Sequence, residues 1–218
     1  SIIELGVGSG ALLYHFTKFR TKSLTGIDLG SSVRTAKRLL GKKAKILQRD
    51  ATDSIGLFNE LGYFDRAYCI GVLHHLADMQ KGMQSLVSHL EDDGYLIMWL
   101  YGKDGRFKLN LNQRMLSVLF QNENSLKKKV ELTKKILRNE SNKYLDCHFN
   151  VPESKIEDKW EEGVEFLLKN DNWIVDQFLH YNEKVVDIRD VYELNKLFNL
   201  EIIEWLGTPT DIKKYIPE

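Results

Sequence analysis

The chain has 218 residues, 43% hydrophobic and 28% charged, with 31 basic and 31 acidic side chains. That composition suits a globular fold able to bury a core without disulfides or metals, and its balanced charge excludes the electrostatic footprint of a nucleic-acid-binding domain. Two cysteines, Cys69 and Cys147, exclude a disulfide framework and a cysteine metal site, and no apolar run approaches the ~20 residues that span a bilayer. No signal-peptide pattern is read, so a cytoplasmic protein with no membrane partner is expected. Residue 1 already leads into a buried strand, as in a piece trimmed from a longer protein.

Ser1 to Leu5 reads as the first strand, followed by the glycine turn Gly6-Val7-Gly8-Ser9-Gly10. Ala11 to Phe19 sets Leu12, Leu13 and Phe16 on one helical face. Leu24 to Ile27 is the second strand. Ser31 or Ser32 caps a helix that Gly41 ends after Leu40. Ala44 to Leu47 and Phe64 to Ile70 are the third and fourth strands, and a helix near Gln80 to Leu90 follows. Glu91-Asp92-Asp93-Gly94 reads as a turn, and Tyr95 to Tyr101 as a fifth strand with almost no polar interruption.

Continuous apolar strands alternating with helices imply a parallel sheet covered on both faces. With right-handed crossovers this is a doubly wound α/β fold. Ligands in such folds bind beyond the carboxyl ends of the strands, at the switch point.

The pattern breaks at residue 102, so the chain divides into an α/β core (1–101), a mostly helical insertion (102–186) and a returning helix–strand unit (187–218). Lys103 to Lys143 holds eleven basic and four acidic residues, whereas Asp146 to Asp176 holds nine acidic and three basic. The basic run Lys127, Lys128, Lys129, Lys134, Lys135 and Arg138 is read as a solvated helix paired with the acidic half. Trp160, Phe166 and Trp173 are read as core anchors of the insertion. A helix is expected around Asp187 to Phe198, and a strand at Leu200 to Leu206, with Pro209 and Pro217 marking an irregular end.

The glycine loop lets the chain turn sharply and lets backbone approach a ligand, with a helix amino terminus behind it. It also fits the dinucleotide pattern G-x-G-x-x-A. Asp28, at the end of the second strand, can accept the two ribose hydroxyls of a nicotinamide cofactor or of another adenosine ligand.

The ordered set Glu4-Leu5-Gly6-Val7-Gly8-Ser9-Gly10, Gly26-Ile27-Asp28, Asp50-Ala51 and Phe64 through Leu76, with Val72-Leu73-His74-His75 inside it, resembles the class I S-adenosylmethionine methyltransferases. Leu90 to Leu96 resembles their turn before the fifth strand, with Asp93 in place of its first glycine. The resemblance covers residues 1 to about 101 and, more weakly, 187–206. It implies a Rossmann-like methyltransferase fold that binds S-adenosylmethionine and releases S-adenosylhomocysteine. It also implies cofactor contacts from Gly6, Val7, Gly8 and Gly10, with Glu4 at the amino-acid end. Asp28 and Leu29 would sit at the ribose, Asp50 and Ala51 at the adenine, and Cys69, Ile70 and Gly71 beside the methionine moiety.

Methyl transfer from a sulfonium is an in-line displacement, so no catalytic side chain is obligatory. The candidates are His74, His75, Tyr101 and His180. Each has a structural alternative: packing for the histidines, strand capping for the tyrosine. Tyr101 to Arg106 resembles a Y-G-x-x-G-R segment, and Asp176 to His180 a D-x-F-L-H segment, of some bacterial members. That resemblance implies that Arg106 and His180 meet at the substrate; alternatively, Arg106 pairs with an acid of the insertion. His15, His89 and His148 are read as background, and no metal site is expected. The acceptor is read as an oxygen or nitrogen nucleophile on a small molecule, with protein and RNA acceptors open. The alternatives are a nicotinamide-dependent oxidoreductase and a non-catalytic cofactor-binding module.

Overall fold

The computed structural model describes residues 1–53, 60–139, 156–180 and 183–206. Cys147, His148, Pro209 and Pro217 lie outside them. Two compact units are present: Ser1–Leu100 with the chain from Val186 onward, and Tyr101–Val185.

The first unit is built on a five-stranded sheet of β1 (Ile2–Leu5), β2 (Leu24–Asp28), β3 (Lys45–Gln48), β4 (Phe64–Ile70) and β5 (Leu90–Trp99). The order is β3-β2-β1-β4-β5, and every pairing is parallel. The order reverses at β1, so the switch point lies between β1 and β4.

Alternation along β1 sorts its side chains onto two cores. Ile2 joins Leu13 of α1 (Ala11–Phe16) and Val33, Ala36 and Leu40 of α2 (Val33–Leu40). Ile3 and Leu5 join Cys69, Met83 and Leu86 of α3 (Met79–Val87) on the opposite face. Helices therefore cover both faces of the sheet, as the unbroken apolar strands require.

Several boundaries differ from the sequence reading. The first helix ends at Phe16, where Thr17 Oγ1 donates to the Tyr14 carbonyl at 2.8 Å and competes with continuation. Ser32 holds the N-cap position of α2, but its side chain makes no capping bond. The expected turn at Glu91–Gly94 lies within β5 as an irregularity: Phe64 pairs with Leu90, and Arg66 with Tyr95. A side chain at Gly94 would stand 2.8 Å from the Glu91 carbonyl, which is why glycine closes this bulge.

In the second unit, α4 (Phe107–Leu119), α5 (Leu126–Arg138), α6 (Ile156–Lys169), α7 (Asp171–Ile174) and a π-helical turn (Val175–Leu179) enclose a core that includes Leu116, Leu137, Leu167, Ile174 and Phe178. Lys134 on α5 pairs with Asp171 on α7, one ion pair between the basic run and the acidic half. Phe166 and Trp173 are not core anchors. Both are 44% exposed and pack edge to face on each other, with ring centroids 5.6 Å apart.

The chain then forms α8 (Ile188–Leu197). Asp187 and Asp190 make a reciprocal capping box at its start. The strand expected at Leu200–Leu206 does not form. These residues carry no ladder, and Ile203 and Leu206 are exposed. Without a neighbouring strand, β propensity does not hold a strand. Among the described residues, no helix is long and apolar enough to cross a membrane.

Candidate functional site

The loop after β1 emerges at the switch point, at the carboxyl end of the sheet. Gly6, Gly8 and Gly10 have φ of 79°, 52° and 89°, in the left-handed region that glycine adopts without a Cβ penalty. Gly6 is also the tightest, since a Cβ there would lie 2.1 Å from Val72 Cγ2. The amides of Gly6 and Val7 both donate to the Ile27 carbonyl, at 2.7 and 2.9 Å, and that of Gly10 donates to Val7 at 2.8 Å.

Asp28 closes β2 beside this loop. Its Oδ2 accepts from the Gly8 amide at 2.8 Å, and its Oδ1 from the Gly30 amide at 2.7 Å. A carboxylate has about four acceptor sites, so it can hold the loop and still accept ligand hydroxyls. Leu29 is 65% exposed next to it, and its carbonyl accepts from Gln48 Nε2.

Glu4 lies under the loop, with 6% of its surface exposed. The backbone of Leu13, in the first turn of α1, favours the ionised form of its carboxyl group. One oxygen, Oε2, is enclosed and has no hydrogen-bond partner. Burial pushes the Glu4 carboxyl up to about 8, opposed by the Leu13 backbone and assisted by the Asp28 charge.

After β3, Ala51 is buried and Asp50 exposed. Asp50 Oδ1 accepts from both the amide and the hydroxyl of Thr52, at 2.8 Å each. These bonds hold its carboxyl below the usual range. At the end of β4, Cys69 is fully buried and free, and burial raises its thiol to about 12. Ile70 is exposed. Gly71 has φ of 73°, and a Cβ there would lie 3.4 Å from the Trp99 ring. Trp99 is 53% exposed at the last position of β5. The sequence reading missed it; the signal was an indole at the carboxyl end of β5, after the apolar run Leu96-Ile97-Met98.

The two histidines after β4 separate in character. Their rings meet edge to face with centroids 4.2 Å apart, but His74 is fully buried and His75 only partly. The burial of His74 fits the packed alternative the sequence also offered. His89 is buried as well, with Nδ1 2.6 Å from the Ser85 carbonyl.

The second unit draws the segments at 101–106 and 176–180 into one polar cluster. Arg106 grips Glu183 with two nitrogens, Nε–Oε1 being 2.8 Å, and its Nη1 donates to Gln177 Oε1 at 3.2 Å. Its guanidinium carbon lies 3.6 Å from the Tyr101 ring centroid. Gln113 Nε2 donates to Glu183 Oε2 at 3.2 Å and to the Gln177 carbonyl at 3.1 Å. Burial, then the nearby Asp176 charge, raises the Tyr101 phenol. Glu183 is fully enclosed and Arg106 only 13% exposed. Within this unit Arg106 pairs with an acid of the insertion, Glu183, which is the alternative the sequence also offered, and three of its five N–H donors are used in these bonds. His180 is half-buried at the end of the π-helical turn. Glu183 went unnoticed in the sequence, since 77 residues separate it from Arg106.

Two carboxylates, Asp28 and Asp50, follow at the carboxyl ends of β2 and β3, and the buried carboxyl of Glu4 lies at the end of β1. The amides of Gly6, Val7, Gly8 and Gly10 are already bonded within the protein, which leaves a poor cradle for a pyrophosphate. A cationic adenosine ligand matches this electrostatics better. The unpartnered Glu4 oxygen also fits a ligand ammonium, and the glycines leave room for its backbone-side approach.

The fold and loop thus define a nucleoside-binding, doubly wound α/β domain. Residues 3–96, a little under half of the chain, match the family model described as a methyltransferase domain. In overall structure the chain is similar to PKMT2 from Rickettsia typhi in complex with AdoHcy: TM-score 0.65, 16% identity, 98% of this chain and 42% of that one. PKMT2 determined without that ligand gives a TM-score of 0.62 at the same identity and coverage. A protein of Synechococcus sp., syc1184_c, is 25% identical over 122 residues, covering 54% of this chain and 29% of that one. The chain therefore spans less than half the length of each.

Proposed function

We propose that the chain binds S-adenosylmethionine on its α/β unit and transfers the methyl group to an oxygen or nitrogen nucleophile, leaving S-adenosylhomocysteine. A small-molecule acceptor in the cytoplasm is the reading we favour. The observation that carries the proposal is Glu4: an enclosed carboxyl beneath the glycine loop, with one oxygen unpartnered and the Asp28 carboxylate nearby.

When bound, the cofactor supplies a methyl group activated by a positive sulfur. The chain's own residues hold it. Asp28 accepts the ribose hydroxyls, Asp50 and the Ala51 backbone meet the adenine, and Glu4 meets the ammonium. Gly71 and Ile70 pass beside the methionine end, with the Trp99 ring against Gly71. Alignment alone supplies up to ~7–11 kcal/mol of the barrier. A general base adds about 10²–10⁴-fold, and His75 is the candidate, being the partly exposed member of its pair. Tyr101 and His180, both in the second unit, are the other candidates for the acceptor step. Arg106 lies over the Tyr101 ring within that unit.

Calorimetry with S-adenosylmethionine, S-adenosylhomocysteine and NAD tests the first half. Binding of NAD but of neither adenosyl compound would sink it. Incubation with tritiated cofactor and fractionated small molecules, RNA and proteins tests the second. Label in the small-molecule fraction supports our reading, label in protein or RNA overturns it, and tight binding without transfer marks a non-catalytic module.

A further inference from the structure

Glu4 points to more than a contact. It is held by β1 at 6% exposure, and its Oε2 is buried with no hydrogen-bond partner. The titratable groups that act on it are of the wrong sign or neutral. Asp28 on β2 disfavours its ionisation, and Cys69 on β4 is coupled to it and itself stays a neutral thiol. Tyr68 lies opposite it in the β4 register. The element behind, α1, acts on it through the Leu13 backbone and contributes no cation. A buried carboxyl in these surroundings keeps its proton at neutral pH.

We propose that cofactor binding expels a proton from Glu4: the carboxyl is neutral in the unliganded protein and becomes a carboxylate when the ligand's ammonium reaches Oε2. This rests on the adenosyl ligand proposed above. The exchange is balanced in charge. One proton leaves for solvent as one ammonium enters, so at neutral pH the site avoids an unpaired buried charge, which would be costly. Burial raises the group to about 8, which sets the working range. Below pH 7 the proton is present and must be displaced; above 8 it is already gone. Cofactor affinity therefore climbs about tenfold per pH unit below 7, and levels off above 8.

The test is calorimetry of S-adenosylhomocysteine binding at pH 6.5 in two buffers of different ionisation enthalpy. At that pH the ligand's ammonium is already charged. Close to one proton released per ligand bound is expected. Glu4→Gln should release none, and so should 5′-methylthioadenosine bound to the unaltered protein, because it lacks the amino-acid tail. The second ligand keeps the proposal testable if the variant fails to fold. Binding with no buffer dependence overturns the proposal and leaves the cofactor reading intact. Equal release with methylthioadenosine also overturns it, by moving the proton elsewhere. Failure of both ligands to bind removes the cofactor reading, and this inference with it.

Discussion

The Gly8 amide donates to Asp28 Oδ2 at 2.8 Å, across twenty residues of sequence. This bond ties the glycine loop to the end of β2, so the residue expected to hold the ribose also holds the loop. Asp28→Ala should therefore do two things. Cofactor affinity should fall at least a hundredfold by calorimetry. Stability to urea should also fall, by about 1–3 kcal/mol, because the Gly8 and Gly30 amides lose their acceptor. Loss of affinity with unchanged stability would mean that the Gly8 bond does no structural work.

Gly6 and Gly41 make a matched pair for separating strain from crowding. Both have positive φ, 79° and 53°. A Cβ at Gly6 collides with Val72, whereas one at Gly41 meets nothing within 4 Å. Gly41→Ala should cost only a backbone penalty, about 1–3 kcal/mol, because φ 53° with ψ −128° is a sparsely populated conformation for a residue with a Cβ. Gly6→Ala should cost that plus displacement of Val72, a further ~1–3 kcal/mol. Urea unfolding of both variants measures the difference, and equal losses would refute the crowding at Gly6.

Arg106 and Glu183 form a desolvated pair inside the second unit. Removing either partner leaves the other charge buried, so Arg106→Ala or Glu183→Ala should cost about 3–5 kcal/mol. Replacing both, as Arg106→Met with Glu183→Leu, should recover most of that loss, since an apolar pair escapes the desolvation cost. A double-mutant cycle by thermal unfolding reads this directly. Additive losses would show that the two side chains are not coupled.

These three sites also show what the sequence could and could not disclose. Gly6, Gly8 and Gly10 announce a loop because their positive φ is a local need, and Asp28 follows at a strand end that hydrophobicity alone marks. Local signals of that kind placed all five strands within a few residues. The fate of Arg106 is not local: its partner lies 77 residues away, and nothing in either stretch says they meet. Likewise, the apolar pattern at 200–206 reads as a strand, but a strand needs a neighbour that a one-dimensional pattern does not supply. Phe166 and Trp173 were misassigned for a related reason, since large aromatic side chains are read as buried until the faces of their helices are known.

Cys69 is fully buried, with its thiol raised to about 12 by desolvation. The thiolate is the reactive form, so Cys69 should resist a disulfide reagent in the native state and react only as the unit opens. In a Cys147→Ser background, labelling at pH 8 should follow the unfolding rate and slow further when cofactor is added. Rapid stoichiometric labelling of the folded protein would contradict the burial.

Glu4 sets a pH dependence of stability opposite in sign to that of a salt-bridged acid. Its folded value is raised to about 8 from an ordinary 4.5. Below 4.5 both states carry the proton, and the group contributes no slope. Between 4.5 and 8 the native state keeps a proton that the unfolded chain has released, so stability falls as pH rises through that window. Above 8 both states are ionised and the slope ends. Urea unfolding at pH 5, 6.5 and 8 should thus show a loss on the order of a few kcal/mol across the window in the unliganded protein. Glu4→Gln, which carries no titrating proton, should remove that slope and close most of the gap at pH 8. Parallel curves for the variant and the unaltered protein would mean that Glu4 does not hold its proton in the fold.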